Sequence, residues 1–348
     1  MPYTDTQHSS SQRTPQIAII GCGAIAELYY LPAIAKRPSI LKNLTLVDKK
    51  ESRTNKLARE YKISRTFDDY RKLFDKKIDG VIIAVPTYLH HSIALPFLRR
   101  GIHTLCEKPL TASASKAEEM ANKAGQSGAA LLVNQTRRLW PSTIKIKDML
   151  EKKVLGELLS IKFAWIEKFG WPTISGFYFD SEVSPRGTLL DTGVHVFDTI
   201  CYWLGEKPTL LSSQNDSFGG PEATAQVKFK YDNCVGEVLV SVLEKSQRRY
   251  GIQCEKGTIS GEIYDINSFV VTKNNGSKHK VTIKSNVNTF EEVGQKMVDN
   301  FIDVITTDAK PLVSGTDVLP TMSFLDECYH EATKFSLPWY GKSSTYKI

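Results

Sequence analysis

Three polar residues interrupt the apolar segment 187–198, which reads GTLLDTGVHVFD. Asp191, His195 and Asp198 follow one another at offsets of four and three, so on one helix they would share a face. Three interpretations stay open for Asp191 and His195. In the first, Asp191 caps a helix and His195 is a core histidine. In the second, the two residues chelate a metal ion, although no obvious third and fourth ligand exists. In the third, they form a general base with a neighbouring carboxylate. In the third case Asp198 supports the helix.

Lys108 lies in the segment CEKPL, directly after the apolar run 103–106. It is either a solvated loop residue or a cleft residue beside a positively charged group, which would lower the pKa of its ammonium. In the second case the ammonium can hydrogen-bond a substrate oxygen and stabilise developing alkoxide charge. Glu107 is then placed to orient Lys108, and Pro109 fixes the local backbone.

The segment GCGAIA, residues 21–26, indicates dinucleotide binding. Gly21, Gly23 and Ala26 fit the GxGxxG/A pattern between a predicted strand and a predicted helix, where glycines admit a pyrophosphate and the helix N-terminus supplies N–H donors. Asp48 ends the second predicted strand, where an acidic side chain accepts hydrogen bonds from the adenosine ribose. The sequence therefore predicts a bound nicotinamide dinucleotide.

Charges after the second predicted strand bear on the choice between NAD and NADP. Asp48 favours NAD because its carboxylate repels a 2′-phosphate, but NADP stays possible because Lys49, Lys50 and Arg53 can pair with that phosphate. Further along, Pro86 and Thr87 follow another strand at the sheet edge that faces the nicotinamide half of a cofactor. The predicted cofactor site comprises Gly21, Gly23, Ala24, Ile25, Asp48, Lys49, Arg53, Pro86, Thr87, His90, Glu107, Lys108 and Asn134.

Apolar runs alternate with amphipathic helical segments from residue 16 to about residue 138. The runs, at 16–20, 44–47, 80–85, 103–106 and 130–134, are continuous rather than alternating. Continuous runs joined by helices predict a parallel sheet covered on both faces, which is a Rossmann doubly wound fold. The predicted division is a disordered tail at 1–15, a cofactor-binding domain at 16–140, a substrate-binding and oligomerisation domain at 141–335, and a C-terminal tail at 336–348.

Length and composition exclude several classes of protein. The 348 residues, 41% hydrophobic and 24% charged, fit a soluble globular chain of two domains. The net charge of +7 is spread along the chain, so no concentrated basic face for nucleic acid is expected. Neither a membrane span nor a signal peptide is indicated, so the expected compartment is cytoplasmic. The six scattered cysteines are interpreted as reduced core residues.

Taken in order, GCGAIA, EKPL and GTLLDTGVHVFD resemble the Gfo/Idh/MocA family of glucose-fructose oxidoreductase and inositol dehydrogenase. The similarity extends from about residue 16 to about residue 333. It implies an α/β protein with an N-terminal Rossmann domain and a C-terminal α/β domain built on a large, mostly antiparallel open sheet. It also implies that Lys108, Asp191 and His195 form the catalytic group, with His195 or Lys108 transferring the proton.

Strand-like segments separated by turn signals agree with the implied second sheet. One face of such a sheet is covered by helices, and we expect the other, apolar face to be covered by a second copy of the chain. The predicted assembly is a homodimer or homotetramer.

The substrate contacts are predicted from a departure and from a loop. The segment SPRG, residues 184–187, replaces the glycine-rich approach common in the family, so Arg186 is either a surface loop residue or lies at the mouth of the site, where its guanidinium can bind a carboxylate or phosphate. The aromatic and polar loop 167–180 is typical of a carbohydrate-lining segment. The predicted substrate contacts are Arg138, Lys168, Trp171, Tyr178, Arg186 and His195, and no metal is predicted.

These features predict an NAD(P)-dependent oxidoreductase that transfers a hydride between nicotinamide and a ring carbinol or ketone of a sugar, cyclitol or activated sugar derivative. Two alternatives stay open. One is a net non-redox conversion, such as epimerisation or elimination, with retained NAD. The other is a ligand-sensing protein without catalysis, which is disfavoured because the Lys, Asp and His positions are all present.

Overall fold

A computed structural model describes residues 13–172, 176–217 and 220–336 of the chain. The first twelve residues of the predicted N-terminal tail and residues 337–348 of the predicted C-terminal tail lie outside this description.

A six-stranded parallel sheet occupies the first part of the chain, as predicted. Its strands are β1 (Ile17–Ile20), β2 (Thr45–Val47), β3 (Arg65–Phe67), β4 (Gly80–Ile83), β5 (His103–Cys106) and β6 (Leu131–Val133), in the order β3-β2-β1-β4-β5-β6. β1 and β4 are buried at every residue, which explains their continuous apolar runs. β3 is not among those runs because this edge strand is half-buried or exposed. The order reverses between β1 and β4, where α/β sheets bind ligands.

The helices of this first part cover the two faces of the sheet. A π-helical segment (Ala26–Tyr30) runs into α1 (Leu31–Ala35), followed by α2 (Pro38–Lys42), α3 (Glu51–Tyr61), α4 (Thr87–Leu98) and α5 (Ala114–Ser127). Short 3₁₀ turns lie at Tyr70–Leu73 and Thr136–Leu139.

A nine-stranded, mostly antiparallel sheet occupies the second part. Its strands are β7 (Leu158–Ile166), β8 (Thr209–Asn215), β9 (Thr224–Tyr231), β10 (Cys234–Ser241), β11 (Arg248–Cys254), β12 (Gly257–Glu262), β13 (Ser268–Lys273), β14 (Lys278–Thr282) and β15 (Ala332–Lys334). They are ordered β14-β13-β12-β11-β7-β10-β9-β8-β15, and β7 with β10 and β8 with β15 pair in parallel. The predicted open sheet is confirmed.

Helices pack on one face of this second sheet. They are α6 (Pro141–Glu151), α7 (Thr188–Asp191), α8 (Gly193–Leu204) and α10 (Leu319–His330), with a 3₁₀ turn at Phe177–Phe179, whereas α9 (Phe290–Thr307) packs against α1 and the π-helical segment of the first part. In β7, Phe163 and Trp165 point toward this layer, and the ring of Phe163 lies 5.9 Å from that of Trp203 in α8. Among the described residues, no helix is long and apolar enough to cross a membrane.

The opposite face of the sheet is mixed rather than apolar, which corrects the sequence-based expectation. Lys162, Glu237 and Lys228 lie side by side across β7, β10 and β9, and Lys162 and Lys228 are exposed. The neighbouring row is Ala164, Leu239 and Gln226.

The segment 187–198 forms two helices instead of the single predicted helix. α7 ends at Asp191 and α8 begins at Gly193, and the backbone N–H of His195 donates to the carbonyl of Thr192 at 3.1 Å, a spacing of three residues. This tighter turn changes the helical phase. Asp191 therefore ends one short helix, and His195 and Asp198 lie on the next.

Candidate active site

Lys108 and Asp191 meet across the two parts of the chain. The ammonium of Lys108, which follows β5, donates to both Oδ1 and the carbonyl oxygen of Asp191 at 3.0 Å each. The two side chains are 20% and 31% exposed, so the pair borders solvent rather than the core. Two predicted catalytic groups that are 83 residues apart in sequence are thus in direct contact.

Glu107 anchors the backbone before Lys108. Its buried carboxylate accepts hydrogen bonds from Tyr30 Oη and Asn134 Nδ2, both at 2.7 Å, and from the backbone N–H of Lys108 at 3.1 Å. Glu107 thus orients Lys108 through its backbone and not through its ammonium. Sequence reasoning missed Tyr30, whose only signal is its place in the helix after the glycine turn. Burial raises the pKa of the Tyr30 phenol well above its ordinary value, which keeps it a donor.

His195 lies on α8 with its ring stacked on Trp165, at 6.0 Å between centroids and 29° between planes. Its Nδ1 is buried, and no hydrogen-bond partner for it lies in the described part of the chain. Burial first, and then the charges of Lys108 and Arg137, hold the pKa of the imidazole well below its ordinary value. His195 is therefore neutral near pH 7 and can accept a proton.

Asp191 does not orient His195 by a direct hydrogen bond within the described residues; its carboxylate holds Lys108 instead. The same contact bears on the metal interpretation, because a metal ion would have to displace an ammonium from Asp191. Among the described residues, no group of three or more His, Cys, Asp or Glu side chains is arranged to hold a metal ion.

Asp198 supports the fold from a fully buried position. Its two oxygens accept from Nη2 and Nε of Arg138 at 2.8 Å each, and Oδ1 also accepts from Thr321 at 3.1 Å. Arg138 donates further to the carbonyl of Asp317 at 2.7 Å. This occupied guanidinium corrects the prediction that Arg138 contacts substrate.

Arg186 lies at the mouth of a cleft beside Asp191, as predicted, but it is already paired. Its guanidinium donates to Asp326 at 2.6 Å and to the carbonyl of Ala112, and it lies 4.5 Å from the ring centroid of Tyr329. Binding a substrate anion would compete with Asp326, so the structure favours a loop-fixing role for Arg186.

One of the remaining predicted substrate residues lines that cleft, which has an empty volume of about 830 Å³ and is partly open to solvent, whereas His195 lines a separate cavity. Tyr178 lines the cleft with Phe169, and Thr87 and Pro109 form the wall on the Rossmann side. Lys168 and Trp171 are exposed and precede residues 173–175, which lie outside the described part.

The glycine turn after β1 fits the pyrophosphate of a dinucleotide. Gly21 has φ +99°, and a Cβ there would lie 2.4 Å from the carbonyl oxygen of Ala84. A Cβ at Gly23 would meet no atom within 4 Å, so glycine keeps the space before the turn open. Ala24 and Ile25 begin the following helix, where N–H groups are free to bind an anion.

Asp48 lies beside this turn, as predicted. Its oxygens accept the backbone N–H groups of Cys22 and Lys50 at 2.8 Å each, and Arg53 Nη1 lies 3.6 Å from its Oδ2. Arg53 therefore faces the carboxylate rather than standing free for a phosphate. Lys49 is exposed.

His90 and Asn134 are buried in the structure around the cofactor site. The ring nitrogens of His90 lie 2.9 Å from the carbonyls of Pro109 and Val85, so this residue ties two loops together, and its place in the cofactor site stays a prediction. Asn134 donates to Glu107 and accepts from Tyr29 at 3.3 Å. Pro86 caps the start of α4, which begins at Thr87.

The fold and the site define a protein with a dinucleotide-binding part and a second part, and the contact of Lys108 with Asp191 joins the two. Residues 16–135 match the GFO/IDH/MocA oxidoreductase family, NAD-binding Rossmann fold, and residues 143–260 match the GFO/IDH/MocA C-terminal domain. The chain belongs to the GFO/IDH/MocA family.

Relatives of known name match over part of their length. The chain is 28% identical over 204 residues to D-glucoside 3-dehydrogenase of Escherichia coli, which covers 58% of this chain and 57% of that protein. It is 23% identical over 193 residues to the NADP-dependent scyllo-inositol 2-dehydrogenase of Bacillus subtilis, covering 55% and 52%. The chain spans about half the length of these relatives.

Solved structures resemble nearly the whole chain. Levoglucosan dehydrogenase in complex with NADH and levoglucosan has a TM-score of 0.77 at 18% identity, covering 90% of this chain and 96% of that one. A 3-ketoreductase from Actinomadura kijaniata in complex with NADP has a TM-score of 0.79 at 18% identity, covering 94% and 100%. At this identity the likeness establishes the fold.

Proposed function

We propose that the protein is an NAD(P)-dependent oxidoreductase that transfers a hydride between nicotinamide and a ring carbinol or ketone of a sugar or cyclitol. The observation that carries the proposal is the contact of Lys108, from the dinucleotide-binding domain, with Asp191, next to a neutral His195. The relatives named as glucoside and inositol dehydrogenases support the substrate class.

Each residue of this centre has a separate task. Lys108 donates a hydrogen bond to the reacting oxygen and stabilises negative charge on it in the transition state. His195, neutral at physiological pH, takes the hydroxyl proton during oxidation and returns it during reduction. Asp191 holds the Lys108 ammonium in place. Bound NAD(P) supplies the hydride acceptor or donor, with Gly21, Gly23 and Asp48 among the residues that would hold it.

The test is a screen of glycosides, free sugars, inositols and nucleotide sugars with NAD and with NADP, following the absorbance of the reduced nicotinamide. We expect turnover of at least one class and a loss of kcat/KM of about 10²–10⁴-fold in Lys108→Met. Lys116→Met, which changes an exposed lysine on α5, is the matched control and should retain full activity.

Three results would contradict the proposal. Turnover that survives Lys108→Met would place the reaction elsewhere. Cofactor that binds without any turnover across the panel would favour a sensing protein; cofactor that stays bound through purification and does not exchange would favour net non-redox chemistry with retained NAD.

The homodimer or homotetramer stays a prediction, because the mixed polarity of the exposed sheet face does not by itself demand a partner. Light scattering of the purified chain measures the assembly. A monomer at micromolar concentration would contradict it.

A further inference from the structure

Arg137 is a buried arginine for which the described part of the chain offers no carboxylate partner. It is 9% exposed, and its guanidinium lies 4.3 Å from the ring centroid of Trp140 and 4.5 Å from that of Trp165. Nη1 donates to the carbonyl of Ile263 at 2.7 Å. No carboxylate of the described residues lies within 4 Å of it. Burial lowers the pKa of Arg137 to about 10, so it stays protonated at neutral pH.

A cation in this position costs stability, since burying a charge without an opposite charge is unfavourable. Aromatic faces offset part of that cost through cation–π attraction. The neighbouring Arg138 shows that the same turn can place a guanidinium on a carboxylate. The missing carboxylate at Arg137 therefore calls for a different explanation.

The indole of Trp165 connects Arg137 to His195. This ring contacts the guanidinium and also stacks on the imidazole. Arg137, Trp165 and His195 line one small cavity together with Thr199. The buried Nδ1 of His195 has no hydrogen-bond partner in the described part of the chain, so packing and charge, rather than a hydrogen bond, determine the state of the ring.

Carboxylates lie on several of the elements around His195, and three of them are already paired with a cation. Asp191 at the end of α7 pairs with Lys108, and Asp198 on α8 pairs with Arg138. Glu167, after β7, pairs with Arg248 and accepts from Tyr264.

Two further carboxylates lie on the wall of the shared cavity. Asp265 accepts from the hydroxyl and the N–H of Ser268. Glu262 is exposed, so water screens its charge. Of the two cations that act on the imidazole, Lys108 is neutralised by Asp191 and Arg137 is not.

We propose that Arg137 is a positioning residue for the oxidoreductase reaction: its guanidinium holds Trp165 against His195 and keeps the imidazole in its neutral, proton-accepting form. This inference rests on the proposed function, because that function gives His195 its role. The coupling between Arg137 and His195 can nevertheless be measured without turnover.

The experiment is an NMR titration of the His195 imidazole in the full-length protein labelled with ¹³C-histidine, with the signal assigned by its loss in His195→Gln. In Arg137→Met we expect the midpoint to rise by about one pH unit or more, a roughly tenfold gain in proton affinity. Arg137→Lys keeps the charge and should retain most of the wild-type midpoint. Arg249→Met removes an exposed guanidinium whose charge water screens, so it is the matched control and should leave the midpoint unchanged.

An unchanged midpoint in Arg137→Met would overturn the inference and leave Arg137 a packing residue. If that variant does not fold, Arg137→Gln in comparison with Arg137→Lys tests the same charge. In an active protein, the acidic limb of the pH profile of kcat/KM should move with the titration. Turnover without a shift of the His195 midpoint would overturn this inference alone. A shift of the midpoint without turnover would overturn the proposed function alone.

Discussion

Arg137 and Arg138 are consecutive residues of one 3₁₀ turn, and both are buried, yet their surroundings differ in kind. Arg138 binds both oxygens of Asp198. Arg137 packs between two indoles and has no carboxylate within 4 Å among the described residues. A neutralised charge fixes an element in place, because its field is confined to the pair. A charge without a counterion acts on its neighbours, and His195 and Tyr264 are its titratable neighbours here.

The largest expected loss of stability comes from removing Asp198, the carboxylate that neutralises Arg138. Asp198→Ala leaves Arg138 buried with neither carboxylate oxygen, and removing one partner of a buried pair costs about 3–5 kcal/mol of unfolding free energy. Urea denaturation at neutral pH measures this loss. Thr321 also loses an acceptor, which adds to the cost.

Asp191→Ala is the matched control, because it also removes an aspartate that holds a cation. Lys108 and Asp191 are 20% and 31% exposed, so water replaces the lost partner and the expected cost is about 1 kcal/mol or less. Equal losses in the two variants would show that burial does not separate the structural pair from the catalytic pair.

The second prediction concerns the pH dependence of stability. Burial and two nearby cations hold the pKa of His195 below its ordinary value. Below about pH 6.5 the unfolded chain therefore binds more protons at this ring than the folded protein does. Stability rises with pH in such a window, so His195 contributes a stability that is complete above about pH 6.5 and is lost as the pH falls toward the folded pKa, by up to about 1.4 kcal/mol per pH unit.

Unfolding free energies at about pH 7.5 and about pH 5 measure this contribution. His195→Gln should lose less stability between the two than the wild type does. His90, also buried with a lowered pKa, keeps a similar dependence in both proteins and does not affect the difference. The same loss in wild type and variant would mean that the fold does not hold His195 neutral.

A smaller effect is expected when the unpartnered arginine is removed. Arg137→Met loses the cation–π contacts and the hydrogen bond to Ile263, but it also removes the cost of a buried charge, so the net change in unfolding free energy should be about 1 kcal/mol or less. Thermal unfolding compared with Asp198→Ala measures the contrast. A loss as large as that of Asp198→Ala would make both arginines structural.

Much of the fold follows from the sequence because the strands of the first sheet are buried on both faces. β1 and β4 are apolar at every position, and such runs joined by helices commonly form a parallel sheet that is covered on both faces. β3, β8 and β15 were not among the predicted segments. β3 and β15 are short edge strands with exposed residues, and β8 exposes several of its residues, so their pattern is weak.

Some residues of the site could be predicted from local patterns in the sequence, and others could not. Lys108 and Asp191 each follow a recognisable local pattern, and their contact joins the two parts of the chain as the motifs implied. The adjacent pair of arginines carries no such information, because their different partners, Asp198 and Trp165, come from distant segments. The helix break at Thr192 was also missed, since the spacing of four and three residues is compatible with one continuous helix.

A third arginine gives the smallest and last prediction. Arg53 is intermediate between Arg137 and Arg138: its Nη1 lies 3.6 Å from Asp48, and its Nη2 is buried without a hydrogen-bond partner within the described part. While Asp48 keeps its charge, it offsets Arg53 and repels a 2′-phosphate. In Asp48→Asn the guanidinium is no longer offset, so the ratio of kcat/KM for NADP to that for NAD should rise by about tenfold, roughly 1.4 kcal/mol. Arg53→Met in the Asp48→Asn background should reverse that rise. A ratio that does not respond to either change would place cofactor selection away from the end of β2.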